Sequence, residues 1–408
     1  MNKYGNIASM MERSSGFWTA AREGGLGGIV VDELLDGGRL LLSDGRVMTN
    51  MSSYAYLGLD EDPRIRRGAE SAVRQYGINT SMSRTRGVHR YLRSVEEKLS
   101  AWLGGQVMLL SSCTAAAASL IPALSAGVGL ARRPNIVAYD RSAHFCMNVL
   151  KPQVADETNV VTIRHNDVGA LAGFCANNSS VLYVADGVYS TGGLSPVSEI
   201  AQLQNRYDLK VVYDEAHGLS VMGERGIGYV LQSYGEFRDD VFLIASLNKG
   251  FGGAGGFMAS SRANARVLQQ VAMAGGPIQW SQRPTFGNLG AVEAALDIHE
   301  GPEFDQLQSG LADVVNLFDA VAPSGATTRE PIRFIKATAG DGLALAVALA
   351  NEGFYAAPIS FPIVPHGLGG VRVMLRSNME RQEILRFGKV LEASGLIERL
   401  DSHGAEGV

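Results

Sequence analysis

Cysteine is scarce: Cys113, Cys146 and Cys175 are the only three in a chain of 408 residues. An odd, sparse count excludes the disulfide framework that staples small secreted domains. The three are isolated and lack metal-ligand spacing, so no metal is expected, and each reads as a small buried apolar residue of a cytoplasmic protein. No stretch reaches the run of roughly 18 apolar residues that spans a bilayer. The opening MNKYGNIASMMERSSGFW has no apolar core of a signal peptide. Net charge is -5 and no Lys/Arg cluster stands out, which disfavours nucleic acid or an anionic membrane as a partner.

What the chain does have is apolar residues at 46%, enough for a sizeable core, and 49 glycines. The glycines are dispersed, so they mark turns and close backbone approaches rather than a fibrous repeat. Short apolar runs at Val107–Leu110, Ile136–Tyr139, Val181–Ala185, Val211–Tyr213, Val241–Ala245 and Gly256–Ala259 read as buried strands. Stretches such as Ala115–Ser125 and Ser198–Tyr207 read as helices between them. That alternation predicts an α/β domain with a large, mostly parallel sheet over residues 51–290. Residues 291–408 form a smaller α+β domain, with strands at Ile332–Lys336 and Val371–Leu375 and helices at Gly342–Glu352 and Arg381–Glu392. The segment 1–50 joins it, through a strand at Leu40–Leu42. The tail after Leu400, DSHGAEGV, reads as disordered.

Three segments carry chemistry. In ASLNKGFGGAGGFMA (245–259) Lys249 follows a strand and precedes a glycine-rich loop. A lysine amine kept partly neutral forms an imine with an aldehyde cofactor, although a lysine there is more often a plain loop residue. In VVYDEAHGLSVMGERG (211–226) Asp214 closes an apolar strand, with His217 just beyond. Ligands of open α/β sheets bind at the carboxyl ends of strands. A carboxylate there pairs with a protonated pyridine nitrogen, as a pyridoxal phosphate electron sink requires, and an imidazole bonds the phenolic oxygen. In LLSSCTAAAASLIPALS (109–125) a strand runs through Ser112, Cys113 and Thr114 into a helix whose N-terminus suits a phosphate, or is merely capped.

The order and spacing of these motifs resemble the α-oxoamine synthases, a branch of the fold-type-I pyridoxal-phosphate enzymes that includes 8-amino-7-oxononanoate synthase, 5-aminolevulinate synthase, serine palmitoyltransferase and the CqsA-type synthases. The likeness runs from about Tyr54 to about Ile384. It takes in SYAYLGLDEDPRI, VEEKLSAWLG (95–104), DRSAHF (140–145), HND (165–167), DGVYSTGGLSPVSEI (186–200) and the segments above. It implies pyridoxal 5'-phosphate as cofactor, bound as a Schiff base to Lys249. It implies His144 stacked on the ring, Asp214 on the ring nitrogen, and Ser190 and His217 near the phenolic oxygen. Ser112, Cys113, Thr114 and Ser246 would serve the phosphate. Ser281 would reach the phosphate in the neighbouring subunit of a homodimer with shared sites. Arg372 would clamp the α-carboxylate of an amino acid. His165 reads as structural, and His89, His299, His366 and His403 carry no signal.

Departures from the family pattern cluster at the substrate end. Tyr54 stands where the family has asparagine, Thr114 follows Cys113 at the phosphate turn, Asn248 precedes the lysine where serine is common, and Gln282 replaces a small hydroxyl residue. The stretch 77–93 keeps Gly87 but not the usual spacings around it. The implied reaction joins an amino acid to an acyl thioester, on coenzyme A or a carrier protein, with loss of CO2, giving an α-aminoketone. Lys249 would act as the base that removes the α-proton. An aminotransferase, decarboxylase or lyase on the same fold is the alternative. A non-catalytic partner subunit is a third reading, which intact Lys249, Asp214, His144 and His217 oppose.

Overall fold

The computed structural model describes residues 7–322, 324–326, 328–361, 364 and 367–398. The tail after Leu400, His366 and His403 lie outside the described residues. The chain divides into two compact units: Leu59–Ser190 with Leu194–Asp305, and Met1–Gly58 with Thr191–Gly193 and Gln306–Val408.

The first unit is built on a seven-stranded sheet. Its strands are β1 (Gln106–Leu110), β2 (Ile136–Asp140), β3 (Asn159–Ile163), β4 (Val181–Asp186), β5 (Leu209–Asp214), β6 (Val241–Ser246) and β7 (Gly256–Ser260). They lie in the order β1-β7-β6-β5-β4-β2-β3. The strands β6, β5, β4, β2 and β3 pair in parallel, whereas β7 runs antiparallel to both β1 and β6. Continuous apolar runs made these strands legible, because a parallel sheet covered on both faces buries every side chain; β4 and β7 are buried along their whole length. β3 has no counterpart among the strands read from the sequence. It lies at the sheet edge, where Asn159 and Thr162 face solvent and break the apolar run. The helix expected over Ser198–Tyr207 spans Val197–Gln204, its end taken up by a turn.

Helix α1 (Arg90–Leu103) leads into β1 through Gly104, whose φ of 72° is the left-handed cap that glycine adopts freely. Helix α2 (Cys113–Ser125) follows β1 directly; the Ser112 hydroxyl caps it by accepting the Ala115 N–H at 3.1 Å. A single turn, α3 (Phe145–Asn148), is capped by His144.

The second unit has two small sheets. One combines Val31–Leu35, Arg39–Leu42 and Val47–Asn50 with Phe354–Tyr355, the last pairing in parallel with Val47–Asn50. The other has the order Ile332–Lys336, Gly370–Met374, Ala357–Ile359, all antiparallel. Leu40, Leu42, Met48, Phe318, Leu345, Phe354 and Phe387 belong to one core, so residues from both ends of the chain share it. Among the described residues, no helix is long and apolar enough to cross a membrane.

Candidate active site

The carboxyl ends of β4 and β5 place two aspartates side by side: Asp186 and Asp214 are partners in the parallel register. Both are buried. Lys249 sits just past β6, in the turn that reverses the chain into β7. The Leu247 N–H donates to Gly255 O at 3.0 Å and the Gly252 N–H to Lys249 O at 3.0 Å, which fixes the turn. A side chain at Gly256 would put its Cβ 2.3 Å from the Cys113 nitrogen, so only glycine lets β7 start against the turn that opens α2. The lysine loop and the helix N-terminus are thereby held together.

Lys249 Nζ lies 2.9 Å from His217 Nε2. Burial pulls the amine below its ordinary value, and the negative charge of Asp214 offsets part of that pull. The Asp214 carboxylate is held from two sides. Oδ1 accepts the Ala216 N–H at 2.9 Å. Oδ2 accepts from the Cys113 thiol at 3.6 Å and the Cys146 thiol at 3.5 Å. The two sulfurs lie within 4.8 Å of each other, and their interaction raises the Cys113 thiol and lowers that of Cys146. Asp186 Oδ1 accepts the His144 N–H at 2.9 Å. Burial, then the charge of Asp214, pushes the Asp186 carboxyl well above the usual carboxylate range. His144 Nδ1 accepts the Cys146 N–H at 3.3 Å, and its contact with the Cys146 thiol raises the imidazole.

The residues singled out from sequence therefore separate. Cys113, Asp214 and His144 are joined through Cys146 and Asp186, while Lys249 pairs with His217 and feels the charge of Asp214. Ser112 is occupied in capping α2, with exposed Thr114 two residues on. Ser246 closes β6 and donates to the Asn248 side chain. Ser190 is half-buried. Ser281 is exposed beside Trp280, and its carbonyl accepts from Arg283 at 3.2 Å. Tyr54 and Arg372 belong to the second unit, where Tyr54 is exposed and Arg372 half-buried on the central strand of its small sheet. Burial lowers the Arg372 guanidinium, partly countered by Tyr56.

The sequence reading gave no role to Cys146 or Asp186. Cys146, in α3, reaches Asp214 across 68 residues of chain, and Asp186 takes the His144 N–H, 42 residues away. Among the described residues, three further histidines have partners of their own: His165 Nδ1 lies 3.1 Å from Asp140 Oδ1, the His89 ring accepts the Tyr91 N–H, and His299 is wholly buried.

A buried amine drawn toward its neutral form, a carboxylate fixed at a strand end, an imidazole on the amine and a hydroxyl-bearing helix N-terminus form one donor set. It suits a molecule with a carbonyl, a basic ring nitrogen and a phosphate, the three groups of pyridoxal 5'-phosphate.

Comparison with known proteins agrees. The model of the family "Aminotransferase class I and II" matches residues 46–391. The chain is 30% identical over 361 residues to the 8-amino-7-oxononanoate synthase of Geobacter sulfurreducens, covering 86% of this chain and 89% of that one. It is also 30% identical to the enzyme of that name from Pseudescherichia vulneris, over 87% of this chain and 91% of the other. Among solved structures, the serine palmitoyltransferase of Sphingomonas wittichii superposes with a TM-score of 0.81 at 20% identity, covering 97% of this chain and 98% of that one. At these identities the structural likeness speaks to fold alone.

Proposed function

Because the chain belongs to the class I and II aminotransferase family and, within it, to the α-oxoamine synthases, we propose that the strand-end cluster around Lys249 is its catalytic centre. Pyridoxal 5'-phosphate is the cofactor, and the reaction is condensation of an amino acid with an acyl thioester, with decarboxylation, to an α-aminoketone. The observation that carries the site assignment is the buried Lys249 amine 2.9 Å from His217, with Asp214 beside it.

When bound, the cofactor supplies an aldehyde that captures amines and a protonated pyridine ring that draws electrons from the α-carbon. The chain's own residues do the rest. The Asp214 carboxylate, held by the Ala216 N–H, would keep the ring nitrogen protonated. Lys249 would hold the cofactor through its amine, and that amine, when not engaged with the cofactor, would be the base for the substrate's α-proton. Its lowered proton affinity keeps more of it in the basic form at neutral pH. His217 holds the Lys249 amine and, with Ser190, would bond the phenolic oxygen. His144 would cover the ring. Ser112, Thr114, Ser246 and the backbone at Cys113 would hold the phosphate at the start of α2. On the family resemblance, Arg372 and Tyr54 would serve the amino acid's α-carboxylate and the substrate region. Ser281 completes the partner's phosphate site in a cytoplasmic homodimer. Exposed Trp280 (88%) and Met273 (66%) near Ser281 support that interface, since large apolar side chains left in water mark association surfaces.

Lys249→Ala is expected to abolish the absorbance of the lysine-bound cofactor at roughly 420 nm; retained absorbance would overturn the assignment. Mass spectrometry of products from amino acids offered with acyl-coenzyme A or acyl-carrier thioesters identifies both substrates.

A further inference from the structure

The two thiols on Asp214 have no part in the scheme above. Cys113 opens α2 and Cys146 lies in α3; they are remote in sequence and both buried. Their sulfur atoms and an Asp214 oxygen all lie within 4.8 Å of one another. The two sulfur-to-oxygen separations are 3.6 and 3.5 Å. A tetrahedral zinc ion bonds thiolate sulfur at about 2.3 Å and carboxylate oxygen at about 2.0 Å, which sets sulfur and oxygen about 3.5 Å apart. The two sulfur-to-oxygen separations thus match two edges of a zinc tetrahedron, and the two sulfurs lie within 4.8 Å of each other. Surrounding contacts orient the ligands as second partners do in metal sites: the Ala216 N–H fixes Asp214 through its other oxygen, and the Cys146 N–H is held by the His144 ring.

The geometry points to a soft divalent cation as a second ligand of this site, bound by Cys113, Cys146 and Asp214 in the cofactor-free protein and excluded when the cofactor is present. Each thiol gives its proton to solvent as its sulfur lone pair bonds the metal. Asp214 Oδ2 is the third ligand, and water or another anion takes the fourth position. Exclusion rests on the proposed role of Asp214: the same oxygen cannot serve the ring nitrogen and a metal ion. The thiols then have a use that the condensation does not give them, since cofactor and metal compete for one strand-end carboxylate.

Cofactor-free full-length protein, kept reduced, is titrated with Co2+ as the probe. A sulfur-to-cobalt charge-transfer band saturating at one ion per chain is expected. Cys113→Ala and Cys146→Ala, each verified as folded by circular dichroism, should weaken binding by roughly 100-fold or more, at least the upper end of what loss of an indirect partner costs. Added pyridoxal 5'-phosphate should erase the band as its own absorbance appears. No band in the parent, or a band unchanged in both cysteine variants, overturns the site. A band that survives while the cofactor binds overturns the exclusion. Cofactor absorbance in metal-free protein tests the Lys249 assignment separately: its loss with the cobalt band intact removes that assignment and leaves the metal site standing.

Discussion

A lysine amine in water stays protonated to roughly pH 10. Lys249 departs from that because its surroundings strip away water while offering His217 as a partner at 2.9 Å. His217→Phe removes that partner, and capture of pyridoxal 5'-phosphate at neutral pH is expected to slow roughly tenfold or more, as read by stopped-flow absorbance. An unchanged rate would deny His217 its orienting part. His299 illustrates a different use of an imidazole. Its Nδ1 lies 2.7 Å from Ala295 O and its Nε2 2.8 Å from Ser220 Oγ, and burial pushes its pKa down to about 4. The unfolded chain, with histidine near 6.5, takes up a proton that the folded chain refuses between those two values. Stability from neutral His299 is therefore complete above about pH 6.5 and falls as pH drops toward 4, by on the order of 3 kcal/mol. Urea titrations at pH 7 and pH 4.5 should show the loss in the parent and a flatter dependence in His299→Phe; equal slopes would rule this out. Legibility at this scale followed the same division. Asp214, His217 and Lys249 stood out because they lie together at strand ends that apolar runs announce, in a segment with a lysine and an imidazole. Asp186 closes an equally apolar strand, but its bond to the His144 N–H and Cys146's bond to Asp214 are contacts that no local pattern shows.

At the scale of elements, the apolar strands were legible and the polar edge was not. β3 escaped notice because an edge strand tolerates Asn159 and Thr162 on the open side. The tie between α1 and β1 was equally hidden. Glu96, on α1, receives Arg84 Nη2 on both oxygens at 2.7 Å, and its Oε1 also takes the Leu109 N–H at 2.7 Å. A helix residue thus binds the side chain of one loop and the backbone of the strand before α2. Breaking a buried pair strands the remaining charge, so Glu96→Ala should cost about 3 kcal/mol and loosen the start of α2. Denaturant midpoints measure the first effect, and a weaker cofactor affinity the second. A change under about 0.5 kcal/mol, the ordinary scatter of surface substitutions, would show that Arg84 and Glu96 contribute little.

For the molecule as a whole, the resemblance visible in ordered motifs gave the family and reaction class, while the course of the chain between units was less open to a linear reading. Thr191–Gly193 joins the unit built from the two chain ends, though it lies amid the sheet unit's sequence. No local pattern encodes such a crossing.

The reversed strand β7 has a temporal consequence. Among the described residues, β1 pairs only with β7, so it waits for a segment made much later in synthesis. The turn after β1, where phosphate would bind, and the loop bearing Lys249 meet only when β7 slots between β1 and β6. Loop closure over such a long separation is slow compared with local helix formation. On dilution from denaturant, far-ultraviolet dichroism should therefore recover ahead of cofactor absorbance; simultaneous recovery would show that the sheet closes in one step. The capacity to bind cofactor is then acquired last, and a half-made or half-refolded chain holds no active site to be misused.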